Sequence, residues 1–280
     1  MTPQAAAAAE PRTLAPPERR RSRVVANEPC GAYRLISAHD AEGPPDPCPG
    51  QFYMLAAARR WGGGADERPY LPRAFSYARA RAADPGARLE FLLEAVGPGT
   101  ERLGELEPGE ELAVVGPLGI GFRAPEAGTR PLLVGGGIGV APLLGLGEQL
   151  EAVSVLLGFR SAAHAEAASL FPEAVVATDD GSAGRRALVT ELLVEELDGG
   201  ADATVYACGP PPMLEAVRTI CAERGLPGQL AMESGMACGF GACFGCVVPT
   251  TDGYVRLCLD GPVLDADRLN SAIFPGAGHA

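Results

Sequence analysis

Four cysteines fall in one short run, ESGMACGFGACFGCVVPTTDGYVRLC, from Glu233 to Cys258. Their spacing is C-x4-C-x2-C, with a fourth Cys after eleven further residues; the first part is the plant-type spacing of [2Fe–2S] ligands. Four thiolates must converge on two irons, and a tight loop presents three of them only if its other residues are small. Gly239, Gly241, Ala242 and Gly245 meet that need and let backbone N–H groups approach the sulfurs. Structural zinc, the rival reading, usually pairs two Cys or Cys/His knuckles. Here there is one C-x2-C, and no His lies between residues 165 and 278. Cys238, Cys243, Cys246 and Cys258 are therefore the expected metal ligands. Cys30, Cys48 and Cys221 stand alone and read as free buried thiols.

Four other stretches could hold phosphates or rings. RAFS places a cation, an aromatic face and a hydroxyl on one short strand at Arg73, Ala74, Phe75 and Ser76; Arg pairs bidentately with phosphate. GPGT at Gly97–Thr100 leads into ERLGEL, with Thr100 a natural N-cap and free N–H groups at the helix start. GGGIGVAPLL supplies Gly135, Gly136, Gly137, Ile138 and Gly139 between a strand and a helix. It is neither a Rossmann fingerprint nor a Walker A loop, yet it lets backbone approach a pyrophosphate at a helix start. CGPPPML repeats that geometry with Cys208, Gly209, Pro210 and Met213, and puts Cys208 at a strand end. His39, His164 and His279 show no paired carboxylate pattern and read as structural or solvated, so no catalytic residue is expected.

The elements that must position these residues change character along the chain. Residues 1–22 are rich in Ala, Pro and Arg without apolar periodicity and read as a disordered tail. Residues 23–127 hold short apolar runs, among them AYRLISA, QFYMLAA, RLEFLLEA and ELAVVG, separated by Gly and Pro. That texture predicts an antiparallel sandwich or small barrel with one short helix. Residues 128–229 alternate strands (PLLVGG, VSVLLGF, AVVAT, ATVYAC) with helices near 140–151, 188–197 and 211–224, which implies a parallel sheet with covered faces. The remainder, residues 230–280, is Gly- and Cys-rich with little periodicity and is expected to bury little apolar area, so that something other than a core must hold it. The fold class is thus β plus α/β, multidomain, with a C-terminal cluster module.

Composition removes several function classes. A formal net charge of −12 argues against a nucleic-acid binder. All 23 basic residues are Arg, which excludes a P-loop lysine and a Schiff-base lysine. The longest uncharged run, Pro131–Gly147, holds six Gly and two Pro in seventeen residues and reads as strand, turn and helix rather than a membrane span. No secretory signal is visible, and a cytoplasmic location is expected, which disfavours disulfides among the eight Cys.

Together these motifs resemble the ferredoxin–NADP reductase superfamily, and most closely the electron-transfer subunits of bacterial NAD-dependent dihydroorotate dehydrogenases. ATDDGSAGRRALVT at 177–190, VVGPLGIGF at 114–122 and CLDGPVLDADRL at 258–269 carry the narrower match. The resemblance implies an FAD-binding β-barrel, a Rossmann-like NAD domain and a [2Fe–2S] module. It places flavin contacts at Arg73–Ser76, at Leu93, Glu94 and Ala95, and at Gly99 and Thr100, and cluster ligands at the four cysteines above. Ala74 stands where a Pro is usual. Glu94 stands where an Arg is common, and its carboxylate is expected to point away from flavin phosphates. Gly235 replaces an Arg common just before the first ligand.

The implied partner is a catalytic FMN-containing subunit that oxidises dihydroorotate in pyrimidine biosynthesis, in a heterotetramer of two of each. Electrons would pass from it through the cluster and FAD to NAD+, because a hydride moves as a pair and the cluster accepts single electrons. Arg160 ends the second α/β strand, where a cation could hold a 2′-phosphate; NAD rather than NADP is nevertheless the expected partner. Two alternatives stay open on sequence alone. One is a homologous NAD(P)H reductase subunit of a ferredoxin-dependent transhydrogenase or sulfur-reducing complex, and the other a zinc-dependent, non-enzymatic interaction module.

Overall fold

The computed structural model describes residues 10–62, 70–200 and 202–276. Its first sheet is antiparallel and has seven strands: β1 (Arg20–Cys30), β2 (Tyr33–Asp40), β3 (Phe52–Ala57), β4 (Arg73–Ser76), β5 (Arg79–Ala82), β6 (Ala87–Leu93) and β7 (Glu111–Leu118). Their order is β4-β3-β7-β1-β2-β6-β5. The edge strands β4 and β5 are consecutive in the chain, separated only by Tyr77 and Ala78, so the sheet curls until its two ends meet as a half-barrel. Its inside holds Tyr53, Ile36, Leu89, Phe91 and Leu93, all at most 2% exposed. A helix, α1 (Pro98–Gly104), closes one end between β6 and β7.

β1 corrects the expectation of a disordered tail through residue 22. Arg20, Arg21 and Ser22 pair with Val114, Ala113 and Leu112 of β7. Arg20 is buried because Asp40 and the Gly116 carbonyl accept from its guanidinium, at 2.7 and 2.5 Å, and a buried charge is tolerated only with such partners. Upstream, Arg12 donates to the Leu259 carbonyl at 2.7 Å, and Thr13 N–H to Gln51 at 3.0 Å. Residues 10–19 are therefore an irregular strap tied to the barrel and to the C-terminal segment. Residues 1–9 of the expected tail, and His279, lie outside the described residues.

The second sheet takes its strands from β8 (Arg130–Gly136), β9 (Ser154–Phe159), β10 (Val175–Thr178), β11 (Arg185–Arg186), β12 (Ala203–Cys208) and β13 (Gly228–Ala231). Helices α2 (Ala141–Gly147), α3 (Ala162–Ala165), α4 (Val189–Asp198) and α5 (Pro211–Arg224) connect them. The hairpin β14 (Val247–Thr250) and β15 (Gly253–Arg256), the turn α6 (Leu257–Asp260) and β16 (Val263–Asp265) follow. The order is β11-β10-β9-β8-β12-β13-β16, parallel except for β16. The apolar run at 131–147 is β8, one 3-10 turn and α2, as its Gly and Pro punctuation predicts. Among the described residues no helix is long and apolar enough to cross a membrane.

The C-terminal segment departs from expectation. Val248, Leu257, Leu264, Leu269, Ala272 and Phe274 are buried, and they join one core with Leu132, Val134, Val205 and Leu230 of the parallel sheet. Sparse apolar residues without periodicity suffice because β16 zips onto β13 and delivers them to an existing core. The same stretch is sewn to both sides: Ile120 N–H, just past β7 of the half-barrel, donates to the Gly261 carbonyl at 2.5 Å, and Met232 N–H, just past β13, to the Pro262 carbonyl at 2.9 Å.

Candidate functional site

A cleft of about 1050 Å³ opens between the two sheets. On the α/β side it lies at the carboxyl ends of β8, β9, β12 and β13. The chain runs from β8 to β9 and β10 on one side, then returns to β12 on the other. That is a topological switch point, where open α/β sheets take their ligands. Here the two loops press backbone on backbone. A Cβ on Gly139 would stand 2.6 Å from the Cys208 carbonyl and the Gly209 nitrogen, and one on Gly136 would stand 2.4 Å from Met213 Sδ. Gly136, Gly137, Ile138, Gly139, Cys208, Gly209, Pro210 and Met213 all line the cleft, whereas Gly135 packs beneath it against Leu157, Val140 and Leu143.

The half-barrel supplies the opposite wall. Arg73, Ala74, Phe75 and Ser76 on β4 line it, as expected. Arg73 donates to the Leu71 carbonyl at 2.8 Å, and its guanidinium lies across Gly99, where a Cβ would come within 2.9 Å. Gly99 thus serves by making room for Arg73 and is not itself on the wall. Of the expected residues 93–95 only Glu94 is on the wall, and Leu92 joins it. Strand alternation turns Leu92 and Glu94 to the cleft and sends Leu93 into the barrel core, and Ala95 is not on the wall. Thr100 lines the cleft but is not the N-cap. Gly97 holds that position, and Thr100 is three residues in, with its Oγ1 accepting from Val96 and Gly97 N–H at 2.9 and 3.1 Å.

Two sequence readings meet at one corner of the cleft. Glu94, expected to point away from flavin phosphates, lines the cleft and its carboxylate accepts from Arg160 Nη2. His164, read as structural or solvated, is held in place: Arg160 Nε donates to its Nε2 at 2.7 Å and its Nδ1 lies 2.9 Å from Ser161 Oγ. Glu94 thus faces the Arg160 guanidinium, and its Oε1 also lies 3.5 Å from His164 Nε2. Tyr33 of β2 meets the His164 ring edge-on at 5.5 Å. Glu94 and Tyr33 are distant in the chain from Arg160, Ser161 and His164, and no local motif announces their meeting.

The third wall leads to the cysteines. Glu233, Ser234, Gly235 and Met236 line the cleft two to five residues before Cys238. Ser234 Oγ is buried with no partner among the described residues. Burial pushes the Glu233 carboxyl up, and burial beside Glu233 pushes the Cys208 thiol up. A cleft of this size with an unsatisfied hydroxyl, a cation at Arg73 and glycine backbone on the facing wall fits a flavin dinucleotide with room for a nicotinamide.

Among the described residues no three His, Cys, Asp or Glu side chains gather as for a single metal ion. The thiols instead lie in neighbouring twos, Cys238 beside Cys243 and Cys246 beside Cys258. A binuclear cluster asks for two ligands on each of two irons, so this grouping suits it. Backbone N–H groups point at the sulfurs: Gly245 to Cys243 and Cys258 to Cys246, each at 3.5 Å. Burial raises the Cys238 thiol, but backbone hydrogen bonds from Cys243, Phe240 and Ala242 outweigh it and bring it to about 7; burial and the neighbouring Cys246 raise Cys258 to about 12. Gly239 and Gly241 have φ of +81° and +85°, the left-handed turn that aims these amides inward.

Residues 233–270 match the family model for the iron-sulfur cluster binding domain of dihydroorotate dehydrogenase B, and residues 159–219 the oxidoreductase NAD-binding domain. The chain is 38% identical over 230 residues to the dihydroorotate dehydrogenase B (NAD(+)) electron transfer subunit of Caldanaerobacter subterraneus subsp. tengcongensis, covering 80% of this chain and 87% of that one. It is 42% identical over 235 residues to the like-named subunit of Geobacillus thermodenitrificans, covering 79% and 86%. Among solved structures, the NADH-dependent reduced ferredoxin-NADP oxidoreductase superposes with a TM-score of 0.77 at 22% identity, covering 89% of this chain and 90% of that one. A ferredoxin NADP+ reductase from Neisseria gonorrhoeae with bound FAD and NADP does so at 0.58 and 16%, covering 74% and 92%.

Proposed function

The chain belongs to the family of dihydroorotate dehydrogenase B (NAD(+)) electron transfer subunits, and on that premise we propose how its residues divide the work. It is an oxidoreductase subunit that carries electrons between a catalytic partner and NAD+, with FAD and a [2Fe–2S] cluster as its own groups. When bound, the flavin would exchange one hydride, an electron pair, with nicotinamide and single electrons with the cluster. Arg73, held across Gly99, supplies a cation for the flavin diphosphate. Ser76 and the unsatisfied Ser234 hydroxyl offer hydrogen bonds to a ring or ribose. Gly136, Gly139 and Gly209 let the nicotinamide nucleotide approach backbone at the switch point. Cys208 packs at the strand end beside Glu233 and excludes water where the two rings would meet. Cys238, Cys243, Cys246 and Cys258 hold the cluster.

The observation that carries this assignment is that one cleft is walled by β4 and β6, by the two glycine loops, and by the residues leading directly to Cys238. Flavin, nicotinamide and cluster sites are thereby adjacent. The cluster loop also exposes Phe240 and Phe244 (45% and 63%) beside the exposed Cys243. That surface is the docking face for the partner, an FMN-containing subunit that oxidises dihydroorotate, in a complex of two of each.

Co-purification with flavin, iron and sulfide analysis and light scattering tests the assignment. The isolated chain should reduce ferricyanide with NADH, and should oxidise dihydroorotate only when the partner is added. Dihydroorotate oxidation by the chain alone at the complex's rate, or a colourless zinc-containing preparation, would refute it.

A further inference from the structure

Arg160 directly follows β9, the second strand of the unit whose first loop is Gly136–Gly139. In dinucleotide folds that strand end meets the adenosine ribose, where an acid accepts the 2′-hydroxyl and a cation accepts a 2′-phosphate. An Arg there, taken alone, favours the phosphorylated nucleotide. Its surroundings reverse that. Two of the three guanidinium nitrogens are engaged within the protein, Nε by His164 at 2.7 Å and Nη2 by Glu94. A side-on bidentate grip on phosphate uses the parallel Nε–H and Nη2–H groups, and that edge of the guanidinium is already turned to His164 and Glu94. Glu94 is an anion from the other sheet, and Asp179, at the end of β10, lines the same cleft with a second carboxylate.

We propose that Glu94, reaching across from the half-barrel, sets the nucleotide specificity of the α/β sheet: by holding Arg160 and opposing a second negative charge, it selects an unphosphorylated adenosine ribose. The inference rests on the nicotinamide-dinucleotide site assigned above. It assigns Glu94 a task outside flavin binding and gives Arg160 a charge that is partnered within the protein. His164, seated on Ser161 and against Tyr33, steadies the guanidinium from the far side.

The test uses the complete chain with its flavin and cluster, as wild type, E94Q, R160Q and E94Q/R160Q. Calorimetry measures binding of 2′,5′-ADP and 5′-AMP, and ferricyanide reduction, normalised to bound flavin, gives kcat/KM for NADH and NADPH. Wild type should favour NADH and 5′-AMP. E94Q should move both ratios toward the phosphorylated ligand by about fivefold or more, and R160Q in that background should return them to within about twofold of wild type. A wild-type preference for NADPH, a smaller shift in E94Q, or a shift that survives in the double variant would overturn the proposal. Should E94Q lose its flavin, E94A is carried through the calorimetric arm, where the same ratio decides. Wild type that binds neither fragment and oxidises neither nucleotide would bring down the dinucleotide site along with the inference.

Discussion

An added Cβ at Gly139 would meet the carbonyl carbon and oxygen of Cys208 and the nitrogen of Gly209, all at 2.6 Å. Backbone cannot swing aside as a side chain can. Gly139→Ala should therefore cost about 1–3 kcal/mol by overpacking and force the two nucleotide loops apart. The expected result is a thermal midpoint a few degrees lower and a kcat/KM for NADH reduced at least about tenfold. Gly235→Ala, whose Cβ would have nothing within 4 Å, should leave the midpoint unchanged. Equal behaviour of the two variants would refute the close-packed switch point. At this scale the sequence was legible in residue types: Arg73, Ser76, the glycines, Cys208 and the four thiols all came from motifs. It was not legible in phase. Whether Leu92 or Leu93 faces a ligand depends on which side of β6 carries the core. Nor was the Glu94–Arg160–His164 group visible, because its members come from two sheets and make no pattern along the chain.

Helix α5 anchors the end of the chain through one carboxylate. Glu215 accepts from Arg218 at 2.6 Å, from the Ala272 N–H at 2.5 Å and from Ser271 at 3.1 Å. The Arg218 hydrogen bond, followed by the Ala272 amide and the Ser271 hydroxyl, brings its carboxyl from 4.5 to about 2. A carboxylate depressed on folding stabilises the native state above its unfolded pKa and loses that contribution as pH falls through the folded one. Wild type should thus be more stable than E215Q at pH 7, with the gap narrowing below about pH 4.5 and closing towards pH 2. Both partners are partly exposed, so solvent screening keeps the effect modest. Thermal melts of both proteins from pH 7 to pH 3 check it, and a gap that widens on acidification would contradict the assignment. Elements themselves read well from the sequence, since alternation and Gly/Pro punctuation mark strands and turns directly. Their ends did not. Thr100 reads as an N-cap, yet Gly97 takes that place because Pro98 already has a fixed φ suited to the first helical turn. Residues 10–22 show no periodicity, yet β7 and the Leu259 carbonyl give them partners.

The whole molecule behaves as two sheets sharing one cleft, with the cysteine segment built into the second core. Phe274, Leu269 and Leu257 are buried with Leu132 and Leu230, so this segment is held by packing as well as by its metal. Protein prepared under iron depletion should therefore keep its far-UV circular dichroism, a cooperative melt and stoichiometric FAD, while losing the iron–sulfur electron paramagnetic resonance signal and electron delivery to the partner. Unfolding that accompanied cluster loss, as in zinc fingers, would refute it. Fold class and the sequence of sites along the chain were readable because each half has its own hydrophobic period. The burial of the last segment was not, because its apolar residues acquire a period only when laid against β13.

The seam at Gly261–Asp265 touches everything at once: Ile120 of the half-barrel region through the Gly261 carbonyl, Met232 through the Pro262 carbonyl, and β13 through β16. Cys258 lies three residues before it. A gene fusion that borrowed the cysteine segment as a portable cassette would leave one sheet short of an edge strand, and the donor's barrel without its clasp. The recipient would gain three thiols on a loop and a fourth with nothing to brace it. Recombination should respect that seam, and chimeras of such chains are best joined before the strap that begins at Glu10 or after Phe274.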